Sequence, residues 1–176
     1  MNWGWLGRTV VALVSPKPLP LEGCVKACSI LGAWSGGAAA LVLAVVPLTP
    51  GQRNGTEIQA AAGLVVLCGA VASWLWPPMA RPFFLLVGLG LLGVVTWYPF
   101  FIVDALMHRH ESGTQRFAHA PGALALGLAF GVRLLVDFGS NSEEFRSRIA
   151  RAAGIAGMAI GGALDLFVVQ RIITLF

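Results

Sequence analysis

Residues 27–52, ACSILGAWSGGAAALVLAVVPLTPGQ, contain no Asp, Glu, Lys or Arg. The same holds for residues 58–80, IQAAAGLVVLCGAVASWLWPPMA, and for residues 82–103, PFFLLVGLGLLGVVTWYPFFIV. Each run exceeds the ~20 residues that an α-helix needs to cross about 30 Å of hydrocarbon. A soluble helix is rarely apolar all round for this length, because one of its faces normally meets water. Three such runs in succession predict an all-α, polytopic transmembrane bundle, a single integral membrane domain over residues 1–176.

Composition points the same way. The chain is 57% hydrophobic and only 11% charged, whereas a soluble domain carries about 25% charged residues. Outward from the three runs, the chain divides into about five spans: 28–48, 58–76, 82–103, 122–139 and 152–173. The prolines of Ser15–Pro20 stop any helix there, and residues 1–14 read as a short interfacial or lumen-lining helix with Trp3 and Trp5 at headgroup level. Thr49-Pro50-Gly51 is expected to end the first span and to open a polar loop to Glu57. Pro77-Pro78 makes the second and third spans a tight hairpin. Pro99 is positioned to kink the end of the third. Ser140 and Glu143 have capping-box spacing ahead of the last helix, and Glu144 with Arg148 forms an i, i+4 pair.

Basic residues set the expected topology. With five spans, Arg8, Lys17, Lys26, Arg81, Arg146, Arg148 and Arg151 fall on one side. Arg53, Arg109, Arg116 and Arg171 fall on the other. Seven against four places the N-terminus on the cytoplasmic side, or its equivalent in an organelle.

The net charge of +4 is spread over helix ends, without the basic cluster and interleaved aromatics of a nucleic-acid surface, so no nucleic-acid partner is expected. Cys24, Cys28 and Cys68 are too few for a disulfide framework or for a closed zinc site, which takes four ligands. Ser15-Pro16-Lys17-Pro18 is no cleavage site, so a cleaved signal peptide is not expected. Asn54-Gly55-Thr56 matches the N-glycosylation pattern. Gly88, Gly90 and Gly93 follow no strand and precede no Gly-Lys-Ser/Thr, so they read as helix-packing surface, not as a phosphate loop.

Three intramembrane polar residues stand out. Asp165 lies well inside the fifth span, where an ionised group costs several kcal/mol. It shares a face with Gly157 and Gly161 at i, i+4 and i+8, a pattern that admits another helix closely. Arg171 is six residues on and on a different face, so the donor for Asp165 is expected on another helix, in another subunit or in a ligand. Arg133 and Asp137 form an i, i+4 pair in the fourth span. It reads as a local ion pair at the interface, with Arg133 snorkelling outward, or else as a dock for a partner subunit or an anionic headgroup. The small-residue faces predict that the fourth and fifth spans pack through Gly127 and Gly131 against Gly157 and Gly161.

His108, His110 and His119 are the only candidate metal ligands, in the connection Asp104–Ala120. A transmembrane haem needs histidines inside spans, and these lie outside them, so a solvated loop is the expected reading and no cofactor is named. No catalytic constellation is present. The residues thus predict a non-catalytic structural or accessory subunit of a larger membrane complex, such as a photosynthetic or respiratory assembly, partnered by lipids and other membrane subunits. Two alternatives carry other signatures. One is a small transporter or channel using Asp165, and the other is a cofactor-binding electron-transfer subunit using the histidines.

Overall fold

A computed structural model describes residues 4–107 and 122–175. It is 90% helical, with no strand among the described residues. The helices are α1 (Gly4–Val14), α2 (Leu21–Val45), α3 (Pro50–Leu75), α4 (Ala80–Met107), α5 (Ala123–Gly139) and α6 (Glu143–Leu175), with a 3-10 turn at Pro77–Met79. Four segments are long and apolar enough to cross a membrane: Leu21–Val45, Pro50–Leu75, Pro77–Phe100 and Glu143–Arg171. Helix α5, with 17 residues, reaches about 26 Å at 1.5 Å per residue.

Many apolar side chains on α2, α3, α4 and α6 are not covered by the chain. Trp34 is 79% exposed, Leu86 68% and Leu166 72%. Such surface is untenable in water and ordinary against lipid.

The chain forms two compact units. The smaller, Pro20–Phe83, is a hairpin of α2 and α3. Lipid supplies no hydrophobic drive between helices, so close backbone approach must hold the pair. Gly32 and Gly36 of α2 sit against Gly63 of α3: a Cβ at Gly32 would lie 2.7 Å from the Gly63 carbonyl oxygen. Cys24, Cys28 and Gly32 are buried on the same side of α2. At the other end of α3, the Phe83 ring covers Gly69.

Helix α3 starts earlier than its apolar run. The polar loop expected up to Glu57 is helical from Pro50. Local chemistry explains the correction. Pro50 fits the first helical turn, and the Gln52 side chain accepts the Thr49 N–H at 3.2 Å. Arg53 and Glu57 then pair at 2.9 Å, one turn apart. Asn54-Gly55-Thr56 therefore lies in a helix.

The larger unit, Met1–Leu19 with Phe84–Phe176, contains α1, most of α4, α5 and α6. Helix α4 runs through Pro99 to Met107, beyond the expected Val103. Helix α6 begins at Glu143 and is capped by Ser142, whose Oγ accepts the Phe145 N–H at 3.3 Å. The expected cap, Ser140, instead accepts the Ser142 N–H. Glu144 and Arg148 do pair, at 2.5 Å. Val95, Leu124, Leu128 and Val168 form a buried core between α4, α5 and α6.

Helix α5 uses two faces, and this corrects the expected packing. Gly157 and Gly161 of α6 do meet α5, but opposite Ala129 and Ala125: Cβ atoms at the two glycines would lie 2.6 and 2.5 Å from those residues' Cα atoms. Gly127 and Gly131 face α4 instead, against Val95 and against Leu91 and Gly88. Residues two apart on a helix diverge by about 200°, so Ala125/Ala129 and Gly127/Gly131 cannot serve one neighbour. Gly88 is used in this contact, whereas Gly90 and Gly93 have open space where a side chain would stand.

Candidate functional site

Segment Ser15–Pro20 leaves α1 as non-helical chain bent at Pro16 and Lys17, because Pro16, Pro18 and Pro20 prevent a helix. It is held to α5 by two side chains, Arg133 and Asp137. Arg133 is fully buried, and all five of its N–H donors are used. Nη1 donates to the carbonyls of Leu13, at 3.2 Å, and of Ser15. Nη2 donates to the Lys17 carbonyl at 2.7 Å and to Asp137 Oδ2 at 3.0 Å. Nε donates to the same carboxylate at 3.3 Å. Asp137 Oδ2 also accepts the Leu19 N–H at 3.0 Å.

This geometry replaces the expected interfacial pair. Arg133 does not snorkel, because its donors are committed inside the protein. Nor does helix propensity explain the pair, since Arg preceding Asp at i, i+4 is the less favourable order. The reason lies in α1 and the strap that follows it. Helix α1 ends with carbonyls that have no intrahelical donor, and the strap offers more. A buried guanidinium satisfies three of them, and Asp137 neutralises it. Gly154 lets the end of α1 lie directly on α6, next to the Leu13 carbonyl. Arg146 adds a bond to the Asp137 carbonyl at 3.3 Å, serving the last turn of α5.

Asp165 is 8% exposed and turns towards α5. Its Oδ2 accepts the Ala125 N–H at 3.1 Å. That N–H belongs to the first turn of α5, whose donors have no intrahelical partner, and a negative charge there also suits the helix dipole. Gly161 and Gly157 continue the same contact down the helix pair. Along α6, Asp165 is six residues from Arg171, about 9 Å. The guanidinium of Arg171 lies over the Phe167 ring, 5.7 Å from its centroid.

Both polar sites therefore join helix ends to neighbouring helices: Arg133–Asp137 the C-terminus of α1, and Asp165 the N-terminus of α5. His108, His110 and His119 lie outside the described residues. Among those described, no group of His, Cys, Asp and Glu could hold a metal ion. The sequence reading missed the strap as a ligand of Arg133, and also Ala125 and Ala129. Their signal was present in the four-residue spacing of small residues, but three such stripes in α5 and α6 left the pairing open. Compared with protein-family models, curated proteins and solved structures, the chain has no match.

Proposed function

We propose that the chain is a structural or accessory subunit of a larger membrane assembly, with no catalytic centre of its own. The observation that carries this reading is how its deep polar groups are spent. Arg133 and Asp137 secure the N-terminal strap, and Asp165 secures the start of α5. Groups bound this way are anchors; a proton-linked carrier needs a carboxylate that can exchange partners. Broad uncovered apolar faces on α2, α3, α4 and α6 leave room for lipid and for neighbouring helices. Seven basic residues against four favour a cytoplasmic N-terminus.

The test is extraction of the tagged full chain from its native membrane in mild detergent, followed by native mass measurement. A particle heavier than the chain and its detergent, with other subunits in fixed ratio, is expected. A monodisperse lone monomer under several detergents would overturn the proposal.

A further inference from the structure

We propose that one end of the larger unit, where Lys17 and Arg151 stand, selects anionic phospholipid headgroups. The inference rests on the chain spanning a membrane and not on its being a subunit of an assembly.

Charge pairing at this end is uneven. Its acidic side chains are each taken by an arginine of the same unit. Asp137 pairs with Arg133, Glu143 with Arg146 at 3.3 Å and Glu144 with Arg148 at 2.5 Å. Lys17 and Arg151 are exposed and have no carboxylate partner among the described residues. The strap also fixes where the Lys17 ammonium can go. Prolines flank the residue, its carbonyl is held by Arg133, and Leu19 is held by Asp137. Pro18 borders a cleft with Glu143, Glu144, Arg146 and Ser147 of α6. Arg151 is one turn beyond Ser147, or about 6 Å. The two uncompensated cations thus flank the first turns of α6.

Their depth matches headgroups. Arg151 is the last charge before the apolar run Ala152–Leu164. It stands twenty residues before Arg171, about 30 Å along the helix, the thickness of the hydrocarbon layer. A phosphodiester at that level meets Lys17 and Arg151, while the neighbouring carboxylates of Glu143 and Glu144 are already paired with Arg146 and Arg148. Each Lys or Arg near an anionic surface is worth about fivefold in binding.

The experiment uses the purified full chain in nanodiscs of phosphatidylcholine with a minor fraction of phosphatidylglycerol, reading by native mass spectrometry which lipid stays bound. Wild type should retain phosphatidylglycerol above its bulk fraction. The double variant Lys17→Gln/Arg151→Gln should lower that preference by about 25-fold, two fivefold steps, while Arg53→Gln on α3 leaves it unchanged. Lys17→Arg/Arg151→Lys should keep it, which separates loss of charge from loss of fold. Equal retention by wild type and the charge-removed variant would overturn the proposal, and so would an equal loss in Arg53→Gln. Replacing chloride by inorganic phosphate at constant ionic strength should not displace the lipid. Displacement would mean a site for soluble anions and would overturn the lipid assignment.

Discussion

At the scale of single residues, Arg133 is the most consequential side chain. Removing its charge leaves Asp137 buried and unneutralised, and strands three carbonyls together with it. Breaking a buried pair from one side costs about 3–5 kcal/mol. Arg133→Leu should therefore lower stability in detergent by that amount, measured by thermal or denaturant unfolding of the purified chain. The double variant Arg133→Leu/Asp137→Leu should recover part of the loss, because no uncompensated carboxylate remains. Equal stability of Arg133→Leu and wild type would mean that the strap is held by something else. Asp165 makes a gentler prediction. Asp165→Asn keeps an oxygen that can accept the Ala125 N–H, whereas Asp165→Ala does not. Loss of a helix cap costs about 0.5–2 kcal/mol, so the alanine variant should lose about 1 kcal/mol and the asparagine variant less. A reversed order would contradict the capping role. All three residues were visible in the sequence as intramembrane polar positions. Their partners were not, because backbone groups of Leu13, Ser15, Lys17, Leu19 and Ala125 carry no sequence signature.

At the scale of elements, small residues decide which helices touch, and the glycines divide into those that are filled and those that are open. At Gly161 a Cβ would meet the Ala125 Cα at 2.5 Å and the Leu124 carbonyl oxygen at 2.5 Å. Backbone cannot yield as a flexible side chain can, so Gly161→Ala should push α5 and α6 apart and destabilise the unit by about 1–3 kcal/mol, as overpacking does. Gly90→Ala should have the opposite sign. Its neighbourhood is open, and alanine is the better helix former by about 0.8–1.0 kcal/mol. Unfolding curves of the two variants beside wild type give the comparison, and a destabilising Gly90→Ala would show that another molecule covers that face. The existence of the helices was readable from length and hydropathy. The pairing of Gly157/Gly161 with Ala125/Ala129 was not, because Gly127/Gly131 present the same four-residue spacing.

For the whole molecule, the number of crossings is the property with the widest consequences. Four helices are long and apolar enough to span, and α5 is shorter. An odd number of crossings puts the two termini on opposite sides; four would put them on the same side. With α5 counted as the fifth, reporter fusions at the N- and C-termini should give opposite signals, with the N-terminal fusion active in the cytoplasm. Like signals would mean that α5 does not cross. A second consequence follows from the strap. Deletion of residues 1–19 removes the three backbone acceptors of Arg133 and should destabilise α5 and α6 well beyond what loss of a surface helix would do.

Hydropathy alone determined that this protein lives in a membrane. Burying apolar surface is additive along the chain, and a run of about twenty uncharged residues needs no knowledge of its neighbours to be expelled from water. Tertiary structure alone decided what the charged residues inside that membrane do. An unpaired ion in hydrocarbon is costly wherever it occurs, so the sequence could demand a partner for Arg133, Asp137 and Asp165. Which partner it found depended on packing. Glycines and alanines brought the end of α1 and the start of α5 close enough for their unpaired backbone groups to meet those side chains. For Arg133 that proximity joins residues more than a hundred positions apart, for Asp165 forty, and no local pattern encodes it.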